Sequence, residues 1–179
     1  MSAKVEKSLV NAETKNAGRV LKTIVCDARL LLIGLWLGAS VFFSFILAPS
    51  VFAVLPTRDL AGAVVQRTLM VVNVSGFVVG VILLVSAFLL REGVKKISFI
   101  IEIVSLLLLA VTLFIGHWVI AAQMRAYRLQ MGRPIDELAQ TDALRVAFNS
   151  LHEYSVIVLS IGMISAVIAF LLIARRRQF

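Results

Sequence analysis

The amino-acid sequence predicts an all-α membrane protein, an antiparallel four-transmembrane-helix bundle with a basic amphipathic N-terminal segment. The first observation is composition, because 60% of the 179 residues are hydrophobic against roughly 45–50% in an average soluble domain. The second is a set of four apolar stretches, each long enough for a helix of about 20 residues to cross the hydrocarbon core. The third is that no apolar stretch alternates with period two, so helices satisfy the backbone in lipid better than strands. We place the helices at about 29–55, 68–90, 97–122 and 151–174.

A basic segment, residues 1–28, precedes the first apolar stretch. It can lie as an amphipathic helix on the cytoplasmic membrane face, or it can be a partly disordered tail that only sets the topology. We expect no cleavable signal peptide, because the short apolar core of such a peptide is not found near the start. The apolar residues at roughly helical spacing are Val5, Leu9, Val10, Val20, Leu21, Ile24 and Val25, and the basic residues between them are Lys4, Lys7, Lys15, Arg19 and Lys22.

The distribution of lysine and arginine predicts the orientation, because these residues accumulate in cytoplasmic connections. Twelve of the 18 lie in the N-terminal segment up to Arg29, the connection 91–96 and the tail 175–179. We therefore expect both termini in the cytoplasm, a multi-pass domain at 29–174, and a helical outer loop at about 123–150. The lipid bilayer explains the net charge of +8, and no basic-aromatic interleaving points to nucleic acid.

Small residues recur at the spacing that lets transmembrane helices approach closely. Gly34 and Gly38 form a GxxxG pair in the first helix, Gly76 and Gly80 form another in the second, and Gly162 lies in the fourth. Each helix has one face of small or polar residues at roughly coiled-coil spacing. This pattern predicts a left-handed antiparallel bundle with those faces turned inward.

Proline interrupts the end of the first apolar stretch. Pro49 lacks an amide donor and is expected to kink or end the helix. We therefore expect a short turn at 50–55 along the outer interface. The sequence TRDLAGAVVQR, residues 57–67, is then an outer connection that leads into the second helix.

Polar residues concentrate at the predicted outer end of the bundle. His152 lies on the inward face of the last helix with Ser155, and Arg145 lies on the same face before them. Asn73 and Thr112 occupy inward faces of the second and third helices, so these five side chains form a candidate polar group.

The start of the last helix has two interpretations. Ser150 and Glu153 match the capping-box pattern, and a carboxylate in the first turn suits the helix dipole. Alternatively the helix begins earlier, after Thr141, because Leu144, Phe148 and Leu151 continue an apolar stripe.

Two further ionisable residues lie within the apolar stretches. A carboxylate inside a membrane is costly and is a functional candidate by default, so Glu102 is either functional or pairs with Arg29, Arg91 or a tail arginine. His117 follows the inward position of Gly116 and precedes Trp118. It is expected in the interfacial aromatic belt, although a modest rotation would bring both histidines to one ligand. The single Cys26 cannot form an internal disulfide, and no Cys/His spacing typical of a metal site is present.

The stretch LWLGASVFFSFILAPSVFAVLPTRDLAGAVVQR, residues 35–67, resembles the signature of a bacterial membrane family of unknown function that is similar to eukaryotic transmembrane protein 205. The resemblance covers about 30–172. It implies the four-helix architecture and a location in the bacterial inner (cytoplasmic) membrane, without a reaction. It also implies a distant similarity to copper-resistance-D-like and haem-binding membrane bundles. The matching residues are Trp36, Leu37, Gly38, Phe42, Phe43, Ala48, Pro49, Ala61 and Gly62, followed by Arg145, Phe148, His152 and Ser155.

Three classes of function fit these observations. The first is a non-enzymatic membrane protein without a cofactor that assembles with itself or a membrane partner, because no nucleophile-base set and no phosphate loop is present. The second is a protein that binds haem b or copper through His152, with His117 and a soft methionine ligand. The third is a small oligomeric transporter that uses Glu102, Asn73 and His152. The candidate methionines are Met70, Met124 and Met131.

Overall fold

The computed structural model describes residues 2–91 and 94–176, and it describes the side chains of 15–91 and 94–175. Helices make up nearly all of this part of the chain, which contains no β-strand. The elements are α1 (Ser2–Phe42), a π-helical turn (Phe43–Leu47), α2 (Ala48–Val54), α3 (Arg58–Leu89), α4 (Lys96–Phe114), a second π-helical turn (Ile115–Ile120), α5 (Ala121–Met131), a 3-10 turn (Ile135–Glu137) and α6 (Ala143–Arg176).

Four helical segments of the described chain are long and apolar enough to cross a membrane. The prediction of an all-α protein with four spans is therefore confirmed. We call them the first to the fourth span. They run over Lys15–Val54, Arg58–Leu89, Lys96–Met131 and Ala143–Arg175.

The four spans close into a bundle. The first span packs against the second and the fourth, and the third span packs against the same two. Short connections join successive spans, so neighbours in sequence run antiparallel. The fully buried apolar side chains at the centre are Ile33, Leu83, Leu106, Leu109, Leu113, Ala166, Ala169 and Ile173.

The first span ends at Val54, close to the predicted bound of 55, but it is not interrupted after Pro49 as the sequence predicted. In a regular α-helix the proline ring would clash with the carbonyl of the residue four positions earlier. Here the π-helical turn Phe43–Leu47 widens the backbone just before the proline, and the Ala48 N–H donates to the Phe43 carbonyl. The predicted turn at 50–55 is wrong, because the chain stays helical to Val54. It turns at Leu55, which is extended because a proline follows it.

Helices α3 and α6 begin earlier than the sequence predicted. Helix α3 begins at Arg58, where the Thr57 hydroxyl oxygen accepts a hydrogen bond of 3.3 Å from the Leu60 N–H. Helix α6 begins at Ala143, where an Asp142 carboxylate oxygen accepts one of 2.9 Å from the Leu144 N–H. The capping box at Ser150 is therefore wrong, and the alternative start after Thr141 is correct.

The third span continues well past the predicted end near residue 122. It passes through the second π-helical turn and runs as α5 to Met131. Gly132 ends it in the left-handed conformation, with a φ of 60°, which glycine adopts without steric cost. The predicted outer loop at 123–150 is thus reduced to the connection between α5 and α6.

The N-terminal segment is helical from Ser2 and continuous with the first span. The side chains of Lys4, Val5, Lys7, Leu9 and Val10 lie outside the described residues. Further along the segment, Val20, Leu21 and Ile24 are exposed.

The first and second spans meet where Trp36 crosses Gly76. The buried indole donates a hydrogen bond of 2.9 Å to the Val72 carbonyl. A Cβ atom on Gly76 would overlap the Trp36 ring and come within 2.5 Å of the Leu113 side chain. Only a residue without a side chain allows this approach, so Trp36, Gly76 and Leu113 bring the first three spans together.

The other packing glycines differ in what they contact. A Cβ on Gly80 would lie 3.4 Å from that of Ala110, and one on Gly162 would lie 3.1 Å from the Thr112 hydroxyl. A Cβ on Gly34 would lie 3.6 Å from the Phe170 ring, whereas one on Gly38 would have no neighbour within 4 Å. Gly38 faces outward, so the pair in the first span does not act as one contact within the chain.

We expect Gly76→Ala to destabilise the protein by about 1–3 kcal/mol, because the added methyl group overpacks the Trp36 and Leu113 contact. Gly38→Ala is the matched control, since it adds the same group in open space on a helix. Thermal unfolding in detergent measures both changes. Equal midpoints for the two variants would contradict the close packing of Gly76.

Candidate functional site

A cavity of about 490 Å³ lies between the spans at one end of the bundle. We call this end, where α2 connects to α3 and α5 connects to α6, the distal end. The wall combines apolar side chains with a few polar ones. The apolar members are Phe52, Val65, Leu69, Met70, Ile120, Met124, Ile135 and Phe148, and the polar members are Arg58, Gln66, Asn73, Arg128, Asn149, His152 and Ser155, with Gly62, Gly116 and Ala121 between them.

Three members of the predicted polar group meet in this wall. Asn73 comes from α3, and His152 and Ser155 come from α6. Asn73 is buried, whereas His152 is exposed. The Ser155 hydroxyl donates a hydrogen bond of 2.7 Å to the His152 carbonyl, and its lone pairs remain available as acceptors.

The other two members of the group are not in the wall. The Thr112 hydroxyl donates to the Leu108 and Leu109 carbonyls at 2.8 and 3.0 Å and lies against Gly162. The Arg145 guanidinium donates to the Leu138 carbonyl and so ties the connection before α6 to that helix. Both side chains have local structural roles in this arrangement.

Asn73 is the most deeply buried polar side chain of the wall. It is 4% exposed, and its amide forms no hydrogen bond with any residue in the described part of the chain. Gly116 makes room for it, because a Cβ there would lie 3.1 Å from the Asn73 amide nitrogen. The amide atoms are not among the fully buried polar atoms without a partner, so they remain accessible from the cavity, where a bound molecule or a water can satisfy them.

Arg128 projects into the cavity from α5. Its Nη1 atom is 3.4 Å from the Gln66 side-chain oxygen, and the guanidinium lies 5.4 Å from the centre of the Phe148 ring. A Cβ on Gly62 would lie only 2.9 Å from Nη2. Gly62 and Phe148, both part of the resemblance signature, therefore position this arginine.

Sequence reasoning missed Arg128 and Gln66. Both were assigned to connections, because hydropathy marks only the apolar part of a helix. A signal was present, since Ile120, Met124, Arg128 and Met131 follow helical spacing beyond the apolar stretch. Extending the third helix along that spacing would have placed Arg128 on the same face as Met124.

His117 lies on the second π-helical turn and is not among the residues of the cavity wall. Its ring stands edge-on to Trp118, with centroids 4.6 Å apart. The buried Nδ1 atom has no hydrogen-bond partner in the described part of the chain. The two histidines therefore do not face one ligand in this structure.

Glu102 pairs with Arg29 away from the cavity. Arg29 Nη2 is 2.5 Å from Glu102 Oε1 and 3.2 Å from the Leu83 carbonyl oxygen. Arg29 and Glu102 are 1% and 0% exposed, so both charges are removed from solvent and lipid. Of the partners expected for Glu102, the structure therefore contains Arg29. Because Arg29 also bonds to the Leu83 carbonyl, it links the first, second and third spans.

The fold defines a multi-pass helical membrane protein, and a cavity of about 490 Å³ lies in the part of it that the structure describes. The chain belongs to the family described as a domain of unknown function, DUF4149, which matches residues 31–133. No curated protein and no solved structure matches it.

We expect Glu102→Leu to destabilise the protein by about 3–5 kcal/mol, because it leaves the Arg29 charge buried without its carboxylate. The double variant Arg29→Met/Glu102→Leu is expected to recover most of that loss, since neither charge remains. A double-mutant cycle of unfolding free energies measures the coupling. Additive effects of the two substitutions would show that the pair does not act as a unit.

Proposed function

We propose that this protein is a non-enzymatic binding protein of the bacterial cytoplasmic membrane that takes up a small amphiphilic molecule in its distal cavity. The distal end faces outward in this proposal, because the basic segments at and near the opposite end favour a cytoplasmic position. A volume of about 490 Å³ falls within the range of about 300–1,000 Å³ that is typical of ligand sites.

The Asn73 amide is the observation that carries the proposal. It is buried, it lines the cavity, and no described residue bonds to it. Its surroundings suit binding better than catalysis. The wall contains one imidazole and one hydroxyl, His152 and Ser155, but the Ser155 hydroxyl donates to the His152 backbone carbonyl and not to its ring, so this structure shows no activated nucleophile. The wall does supply an apolar surface with a few directed polar groups, as ligand sites do.

We expect Asn73→Leu to stabilise the empty protein by about 1–2 kcal/mol, because it removes a buried polar group without a partner. The same change is expected to remove a molecule that co-purifies with the wild type. Native mass spectrometry from a non-ionic detergent measures the bound molecule, and thermal unfolding of delipidated protein measures stability.

The matched control is Asn149→Leu, which changes the same kind of side chain at an exposed position of the wall. It is expected to leave stability nearly unchanged. A wild type that carries no bound molecule, together with an Asn73→Leu variant that is less stable, would overturn the proposal.

Copper binding is a second candidate function. His152, Met70 and Met124 all line this cavity, and imidazole with thioether sulfur is a ligand set that suits Cu(I). Met131 is buried elsewhere, and His117 does not face the cavity, so a haem with two histidine ligands has less support. The resemblance to copper-resistance-D-like proteins and to transmembrane protein 205 stays a prediction.

If copper is the ligand, the purified protein carries about one copper ion and His152→Ala loses it. Metal analysis and a visible absorption spectrum of both proteins measure this, and a Soret band would indicate haem instead. A colourless protein without metal that remains folded would exclude His152 as a ligand to either cofactor.

Assembly is a third candidate, supported by the outward position of Gly38. Apart from the chain neighbours of Gly38 and the adjacent backbone of its own helix, no described atom lies within 4 Å of a Cβ built there, so a second copy or a membrane partner could approach the first span closely. Cross-linking in native membranes measures this, and exclusively monomeric protein would count against it. The transporter function has less support, because Glu102 pairs with Arg29 and does not reach the cavity.

A further inference from the structure

The charge of Arg128 is not neutralised within the described part of the chain. No Asp or Glu oxygen of that part lies within 4 Å of its guanidinium, and the contacts it makes are with the neutral Gln66 amide and the Phe148 ring. A guanidinium offers five N–H donors, of which the Gln66 amide engages one. A partly buried arginine in a membrane protein usually pairs with a negative charge, so an anion is the missing partner.

The arginine is held in place before any ligand arrives. The absence of a side chain at Gly62 leaves the space that the Nη2 atom occupies, and the Phe148 ring supports the guanidinium through a cation–π contact. Helices α3, α5 and α6 thus all contribute to the position of the Arg128 guanidinium. Such preorganisation reduces the entropy lost on binding and is typical of a built ligand site.

The cavity has a charged mouth and an apolar interior. Arg58 and Arg128 lie near the ends of α3 and α5, while Val65, Leu69 and Met70 follow along the wall toward Asn73. The α3 backbone rises about 22 Å between Arg58 and Asn73, at about 1.5 Å per residue. The cavity is therefore long enough for an extended chain that lies along the bundle axis.

We propose that the ligand is a single-chain amphiphile whose anionic head group, a carboxylate or a phosphate, binds Arg128 while its apolar chain lies along Val65, Leu69 and Met70 and leaves the Asn73 amide to a polar group or a water. This inference rests on the ligand-binding function proposed above. Arg128 can bind either head group through paired N–H groups, because the guanidinium matches the geometry of both anions. Arg58 contributes less, since it is exposed and already lies 3.8 Å from an Asp136 carboxylate oxygen.

Three probes with the same sixteen-carbon chain separate the head group from the chain: palmitate, hexadecyl phosphate and hexadecanol. Their affinities are measured by isothermal titration on the full-length protein, delipidated in a non-ionic detergent. We expect at least one anion to bind the wild type about tenfold or more tightly than hexadecanol, as a charge-assisted hydrogen-bond pair allows. The anion that binds more tightly indicates the type of natural ligand. Tighter binding of palmitate indicates a fatty acid, and tighter binding of hexadecyl phosphate indicates a phospholipid-type head group.

Variants at two arginines test the assignment. Arg128→Gln is expected to weaken anion binding about tenfold and to leave hexadecanol binding unchanged, because it removes only the charged contact. Arg128→Lys keeps the charge and is expected to retain part of the preference for anions. Arg125→Gln is the matched control, since Arg125 is an exposed arginine on the same helix that does not line the cavity.

The outcomes distinguish this inference from the binding function on which it rests. If hexadecanol binds the wild type as tightly as both anions, the cavity binds apolar chains and the anionic head group is wrong. If Arg125→Gln weakens anion binding as much as Arg128→Gln, the attraction comes from surface charge and the assignment to Arg128 is wrong. If none of the three probes binds the wild type, both the binding function and this inference fail.

Discussion

Lipid offers no hydrogen bonds to the polar groups inside a transmembrane bundle, and this constraint determines how the buried side chains of this protein are paired. Trp36 donates to a carbonyl of the neighbouring helix. The hydroxyls of Ser40, Thr112 and Ser165 donate to carbonyls of their own helices, and Arg29 pairs with Glu102. Asn73 departs from this pattern, as does the buried Nδ1 atom of His117. Asn73 lies where the helices leave a cavity, so a ligand or a water can satisfy its amide there.

The two π-helical turns bring distant parts of the chain to that cavity. The first turn accommodates Pro49 within a continuous helix, and α2 then carries Phe52 into the wall. The second turn places Gly116 against Asn73, and α5 beyond it carries Met124 and Arg128. Single π-helical turns within helices are frequently found at functional sites. Here the second turn borders the cavity through Gly116 and Ile120, whereas the first contributes only by directing α2 and its Phe52 toward the wall.

The sequence was sufficient for the parts of the structure that depend on hydropathy and on the chemistry of isolated residues. The four spans could be predicted, because the cost of exposing the backbone to lipid leaves few alternatives for long apolar stretches. A partner for Glu102 could be expected, with Arg29 among the candidates, because a carboxylate in lipid requires one. These arguments need no knowledge of which helices are neighbours.

Helix ends and cavity residues could not be predicted in the same way. Helices α3, α5 and α6 extend into polar sequence, where a hydropathy window gives no signal. For that reason the sequence analysis assigned Arg128 to a loop. The capping box at Ser150 and the apolar stripe through Leu144 and Phe148 predicted different starts for α6. Only the structure shows that the earlier start is correct, with Asp142 as its cap. Gly38 and Gly76 have the same local pattern, but only tertiary packing shows that one faces outward and the other contacts Trp36.

The family match adds a consequence for how the cavity is built. Residues 31–133 contribute Asn73, Gly116, Gly62 and Arg128, which form the buried amide, the space beside it and the charged mouth. The fourth span lies beyond the matched region and contributes Phe148, His152 and Ser155. The second and third spans therefore contain Asn73 and Arg128, on which the proposed ligand site depends. Helix α6 closes the wall and supports Arg128 through Phe148, so a change at Phe148 is expected to reach the arginine although it lies outside the matched region.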